Sequence, residues 1–536
     1  MPRLLLSLTL SLLLVGCLAH AEKIPMSDGT LLTTDVHLPD GEGPWPVILV
    51  RSTYGRNPAM AGEYLERGYA VVIQDVRGMG ESEGEKYVFH ADGWRPGLTD
   101  GADTVNWVKA QTWCNGKIGT VGGSALGITQ LLLAPTTDGV QAQYIEAAPG
   151  NFFEHGAYPG GVFRKNMFEG WLKAIGQPHL IAVYKGEPRD TAFWSFYDSD
   201  ARAADVNAPA LFVNGWYDIF AQGTLDSFEA REQQGGAGTR GKNLLIMKWS
   251  GHGNDVTTDY QLKANRTEDL QISEIRRAFL AYHLKGDTAA LDAIPKVHYY
   301  VMGDDAPGAP GSEWRTADTW PPFPTVETPI YLGANGALYP NAPGAAATLS
   351  FTFDPADPYP TLGGANLLPN LPSGPFDQRK YSNTRKDLLK FATDPLPAPV
   401  EVTGRVKVRL HVSSDAPDTD FTAKLIDIFP DGREINVLDN IRRVKSRAGL
   451  DKVAPLLQGE SDVVEIEIDL WSCAWIFNTG HRIALHISSS NYPRFEINPN
   501  TGDDFPGEGV TPQAARNSVH TGVATPSALI LPVRQP

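Results

Sequence analysis

The sequence predicts an α/β domain interrupted by a helical insertion and followed by an all-β sandwich. Three observations lead there. From Lys23 to about Lys285, short β-rich runs alternate with helical patterns. One interval within that stretch, Gln143 to Asp205, is too long for a single crossover. Beyond about Ala290, apolar and polar residues alternate with period two and no helical spacing intervenes.

Each element follows from its residues. The runs WPVILVRSTYG (Trp45–Gly55), YAVVIQDVRG (Tyr69–Gly78), GKIGTVGGS (Gly116–Ser124), PALFVNGWYD (Pro209–Asp218) and NLLIMKWSGHG (Asn243–Gly253) are rich in Val, Ile and Leu. Strands of a parallel sheet read this way when helices cover both faces. DGADTVNWVKAQ and ISEIRRAFLAYHLK are the helix candidates. Within the long interval, FRKNMFEGWLKAI and TAFWSFYDSDAR are aromatic and helix-prone, which predicts a cap over residues 143–205. The α/β domain is then built from residues 22–142 and 206–289. EVTGRVKVRLHVSS, DFTAKLIDIFP, DVVEIEIDLW and HRIALHISSS predict the sandwich, residues 290–536. A Pro/Gly-rich section from about Pro340 to Pro375 is expected to be irregular and to wrap the surface.

Composition narrows the function classes. The chain has 536 residues, 42% hydrophobic and 20% charged, with 53 Gly and 41 Pro, which suits a loop-rich globular protein with ample core. A formal net charge of −16 without a Lys/Arg block repels nucleic acid and anionic lipid, so neither is an expected partner. MPRLLLSLTLSLLLVGCLAHAEK reads as a signal peptide (residues 1–21), too short in its apolar run for a comfortable membrane span. Ala19-His20-Ala21 offers cleavage before Glu22, whereas Leu14-Val15-Gly16-Cys17 resembles a lipobox in which Cys17 would carry a lipid anchor. Both predict export, to the periplasm or beyond. Cys114 and Cys473 could pair in an exported protein, but two cysteines so far apart more often remain separate thiols. No metal-ligand spacing is present; the acidic turns Gly303–Asp305 and Thr501–Asp504 read as exposed turns rather than calcium sites.

IGTVGGSALGITQLLLA, Ile118 to Ala134, holds the chemistry. It lacks the Lys-Ser/Thr ending of a P-loop and does not fit G-x-G-x-x-G, so a phosphate cradle is excluded. A nucleophile on a sharp strand-to-helix turn needs very small neighbours, and Gly122 and Gly123 supply them before Ser124. A serine hydroxyl needs a base that a carboxylate orients. Asp218 ends one strand-like run and His252 follows the next, in the order Ser, Asp, His. Among 12 histidines, His252 is the one placed directly after a predicted strand in the last third of that domain.

These segments resemble the triad motifs of the CocE/NonD hydrolases, the cocaine-esterase-like branch of the X-Pro dipeptidyl-peptidase (S15) group. The likeness rests on GTVGGSALGITQ, GWYDIF and KWSGHG, with STYGR, QDVRGMGESEGE and WVKAQTWCNGKIG before the triad residues Asp218 and His252. In the β domain, DAPDTDFTAKL, GHRIALHISSSNYPRF and NPNTG resemble the family's jelly roll. The resemblance implies an α/β-hydrolase domain with a cap, a C-terminal jelly roll, no cofactor, and a small-molecule ester or amide substrate. It implies Ser124 as nucleophile, His252 as base and Asp218 as its partner. The oxyanion hole would be the Tyr54 hydroxyl and the Ala125 backbone N–H. Two departures stand out: the residue after the nucleophile is Ala125 where the family usually has Tyr, and Ile219 and Phe220 occupy places where related α-amino acid ester hydrolases carry acidic residues. Trp171, Trp194, Tyr197 and Phe220 are candidates to line an apolar acyl pocket. Acylase or X-Pro dipeptidyl-peptidase activity with the same triad is the alternative. A carbohydrate- or surface-binding protein with a decayed hydrolase domain is the alternative outside enzymes, and the intact Ser124, Asp218 and His252 argue against it.

Overall fold

The structure, a computed structural model, describes residues 20–253, 259–262, 266 and 270–534. The proposed signal residues up to 19, including Cys17, therefore lie outside the described residues. Its first sheet has ten strands among the described residues: β1 (His20–Pro25), β2 (Leu31–His37), β3 (Trp45–Ser52), β4 (Ala70–Asp75), β5 (Cys114–Gly123), β6 (Ala142–Glu146), β7 (Ala210–Gly215), β8 (Leu244–Lys248), β9 (Val297–Val301) and β10 (Glu313–Ala317). Their spatial order is β1-β2-β4-β3-β5-β6-β7-β8-β9-β10. The run from β4 to β9 is parallel, and antiparallel strands finish both edges.

Side-chain alternation distributes the apolar residues of this sheet between two layers. Ile48, Val50, Val71, Ile73 and Val213 face α5 (Ile272–Lys285), meeting Ile275, Phe279, Leu280 and Leu284. Val47, Leu49, Ala70 and Val72 face the other way, against Val105 and Val108 of α1 (Asp100–Lys109). The apolar residues of α5 recur at helical spacing, and the helix stops where Gly286 turns left-handed at φ 74. The remaining principal helices are α2 (Ala125–Leu133), α3 (Lys165–Ala174) and α4 (Ala221–Gln234).

Several elements differ from the sequence expectation: β1 and β2 precede the first run read as a strand, and β1 includes His20 and Ala21 of the expected signal peptide. The strand β6 runs to Glu146, so the insertion leaves the sheet after that residue and not at 143. TAFWSFYDSDAR forms short 3-10 turns at Trp194–Tyr197 and Asp200–Asp205 rather than a helix. The sheet also continues past 290, because β9 and β10 complete its far edge.

The C-terminal part folds into two antiparallel sheets, of seven and four strands among the described residues. Val400–Ser414 pairs with Val464–Phe477 along most of its length, and Asp420–Ile428 pairs with Glu434–Arg443 and Arg482–Ser488. Their inward residues share one apolar cluster with the cap aromatics Phe152, Phe168 and Trp194 and with Trp216 and Tyr217 of the first domain. Polar contacts stitch the seam: Tyr217 donates to the Asn436 carbonyl at 3.1 Å, and the Ser472 amide donates to Gln222 at 2.8 Å. Cys114 and Cys473 are free thiols. The carboxylates of the two acidic turns are engaged by cations, Asp305 by Arg433 and Asp504 by Arg189 and Lys445.

Candidate active site

In an open α/β sheet, loops at the carboxyl ends of the strands gather the reactive groups. Here β3, β5, β6, β7 and β8 are neighbours, and Tyr54, Ser124, Glu146, Asp218 and His252 stand at or just past their carboxyl ends. Ser124 joins β5 directly to α2 at φ 57 and ψ −125, a conformation that an L-residue adopts only at a cost of order 1–3 kcal/mol. The surrounding chain fixes it. Its amide donates to the Glu146 carbonyl at 2.8 Å, and its own carbonyl accepts from the Gly127 and Ile128 amides. A Cβ at Gly122 would stand 2.6 Å from that of Leu126, and one at Gly127 would stand 2.6 Å from that of Ala148. The glycines thus permit the close approach of strand, turn and helix. Ala125 opens α2, so its N–H has no acceptor one turn earlier in the helix.

Asp218 is fully buried on the turn after β7, and one of its oxygens accepts from the Phe220 amide at 2.6 Å. The other lies 2.5 Å from Nδ1 of His252. With the carboxylate as acceptor, Nδ1 carries the proton and Nε2 keeps its lone pair. Burial disfavours a charged His252, but the Asp218 carboxylate outweighs it; Glu146 adds to the upward pull and Lys248 opposes it, leaving the imidazole above its ordinary 6.5. Glu146 itself is held ionised against burial by Lys248, 2.7 Å away, and by the Tyr144 hydroxyl at 2.8 Å. The ring of Phe220 packs edge-on to His252 with centroids 6.0 Å apart.

Beside Ser124 is a small apolar pocket lined by Ala125, Ile128, Phe152, Met167, Trp171, Ile219, Phe220 and Leu367. Trp171 and Phe220 are therefore beside the serine. Trp194 and Tyr197 are not: each is 1% exposed and packs in the cap's aromatic core, Trp194 against Phe153 and Tyr184. Tyr54 projects from the loop after β3, half exposed, and its hydroxyl accepts from the Trp171 indole N–H at 3.0 Å.

Sequence reasoning missed Glu146 and Leu367. Glu146 could have been found as the polar end of QAQYIEA, a strand obscured by its two glutamines. Leu367 belongs to the Pro/Gly-rich section expected to wrap the surface. That section also pushes Leu368 against α3, where a Cβ on Gly170 would meet it at 2.1 Å. No local signal marks it.

Residues 28–182 and 176–254 match the X-Pro dipeptidyl-peptidase (S15) family, and residues 289–530 match the X-Pro dipeptidyl-peptidase C-terminal non-catalytic domain. The chain belongs to the CocE/NonD, X-Pro dipeptidyl-peptidase-like hydrolases. It is similar to the cocaine esterase of Rhodococcus sp. (strain MB1 Bresler), 34% identical over 95% of this chain and 97% of that one. A putative serine esterase of Mycobacterium bovis is 24% identical over 96% and 95%. Among solved structures, an α-amino acid ester hydrolase superposes with a TM-score of 0.81 at 24% identity, covering 96% of each chain. A CocE/NonD family hydrolase from Staphylococcus aureus gives 0.73 at 19% identity, covering 96% and 93%. As a member of this family the protein is a serine esterase- or peptidase-type hydrolase of ester or amide bonds, with an α/β-hydrolase domain and an all-β C-terminal domain.

Proposed function

We propose that the protein is an exported carboxylic ester hydrolase that works through an acyl-enzyme on Ser124. The observation that carries this reading is the His252–Asp218 pair, 2.5 Å apart on the loops after β8 and β7, at the same end of the sheet as a serine held in a strained strand-to-helix turn after β5. Ser124 Oγ attacks the acyl carbon while Nε2 of His252 takes its proton. The carbonyl π electrons move onto oxygen, which accepts from the Tyr54 hydroxyl and the Ala125 N–H. Collapse expels the alcohol, protonated by His252, and water then repeats the sequence to release the acid. Asp218 holds the imidazole in the productive tautomer and offsets the charge it acquires.

The pocket supports an uncharged, apolar acyl group. Its lining residues carry no carboxylate, and Ile219 and Phe220 fill the places beyond Asp218. A substrate ammonium there would be desolvated without a partner, a large cost. This disfavours acylase or aminopeptidase activity on a free α-amino group. Ala125 in place of a bulkier side chain keeps the backbone donor and widens the wall beside it.

Steady-state assay with p-nitrophenyl esters tests the proposal. Turnover should favour apolar acyl esters over α-aminoacyl and X-Pro p-nitroanilides, and Ser124→Ala should lower kcat by roughly 10⁴-fold or more while folding normally. Wild-type turnover in Ser124→Ala would remove the serine from the mechanism. Export rests on the N-terminal residues alone. The mass of the mature N-terminus from a bacterial envelope fraction distinguishes cleavage before Glu22 from lipidation at Cys17.

A further inference from the structure

Tyr54 is an unusual choice to hold an oxyanion unless something holds it first. Its side chain is 52% exposed, and among the described residues its hydroxyl's hydrogen bond is the one from Trp171. An exposed phenol that rotates freely would lose most of the benefit of preorganisation, since the donor must already point at the developing charge.

The indole N–H can only donate, so the direction of the 3.0 Å bond is fixed: Tyr54 accepts, and its own O–H proton is left to point elsewhere. Accepting a hydrogen bond also polarises the hydroxyl and strengthens it as a donor on the other side. Trp171 is itself immobilised. Its ring stacks on Phe89 with centroids 5.8 Å apart and planes 19° apart, and meets Phe168 edge-on at 6.5 Å. The neighbouring Gly170 is pressed by Leu368 from the C-terminal domain. The same indole lines the pocket beside Ser124.

We propose that Trp171 is a positioning residue for catalysis: its indole N–H, carried by the cap helix α3, orients the Tyr54 hydroxyl so that its proton is free for the oxyanion. The inference rests on the oxyanion role assigned to Tyr54 above. It gives the cap a part in bond cleavage beyond enclosing the acyl group.

A double-mutant cycle on p-nitrophenyl acetate tests it, because an acetyl group is too small to depend on the indole as a wall. Active sites are titrated with a fluorophosphonate, so that kcat refers to folded enzyme. Trp171→Phe keeps an aromatic ring and removes the donor. It should lower kcat by about tenfold, the size of one neutral hydrogen bond, with KM nearly unchanged. In a Tyr54→Phe background the same change should have no further effect. Trp171→Leu, the second variant, should show the same kcat loss and the same silence behind Tyr54→Phe, whatever it does to KM. A merely structural wall would instead raise KM and act independently of Tyr54. Undiminished kcat in both Trp171 variants, or losses that multiply with that of Tyr54→Phe, would overturn the positioning role while leaving the oxyanion reading intact. If Tyr54→Phe alone keeps wild-type kcat, both fall.

Discussion

His252 sets the pH dependence of the proposed chemistry, and the sign follows from its surroundings. The neutral imidazole is the base, and Asp218 with Glu146 holds its pKa above 6.5 against burial. kcat/KM should therefore rise with pH through a single step whose midpoint lies above 6.5, then level off. A profile flat across that range, with chemistry rate-limiting, would count against His252. Stability runs in the opposite sense: the charged pair stabilises the fold below the unfolded pKa of His252, and this contribution fades as pH rises through the folded value. Asp218→Asn leaves burial unopposed by its main partner, so the midpoint should shift to lower pH. The same change should drop kcat by about 10⁴-fold through loss of the correct tautomer. Tyr54→Phe should cost about 10²–10³ in kcat with little change in KM, read by steady-state kinetics on any turned-over ester.

At the scale of elements, α5 packs the sheet and the turn at Ser124 carries the proposed nucleophile. Phe279 is fully buried between α5 and the sheet, so Phe279→Ala should destabilise by about 3–5 kcal/mol in urea unfolding. Turnover per titrated site should stay unchanged, because no residue of that layer lines the pocket. Strands with uninterrupted apolar runs were legible in the sequence, as was α5 to the residue. The strands β1 and β2 escaped, and so did β6, because Gln143 and Glu146 look out of place in a buried strand. The fold accommodates Gln143 by pairing its amide with Arg231 at 2.8 Å and with the Gln130 carbonyl at 2.9 Å. Such partners are distant in sequence, so alternation alone cannot reveal them. Trp171 and Trp194 illustrate the same limit: both read as cap aromatics, and tertiary packing alone puts one at the serine and buries the other.

Across the whole molecule, the order of the parts was readable and the seam between them was not. Composition shifts mark the sandwich, but they do not reveal that β9 and β10 finish the first sheet or that Leu367 lines the pocket beside Ser124. Trp216 shows the dependence most plainly: its indole donates to the Tyr300 carbonyl at 2.7 Å and its ring packs on Trp320. A fragment ending near Lys285 would expose this apolar surface, and it should aggregate on gel filtration and lack esterase activity. A monodisperse, active fragment would show that the two parts are independent. The central claim, that Ser124 is the nucleophile, is tested most directly by intact-mass and peptide-mapping analysis after reaction with a fluorophosphonate. A single adduct on Ser124, absent from Ser124→Ala, is the predicted result; an adduct on another residue, or undiminished labelling of the Ser124→Ala protein, would contradict it.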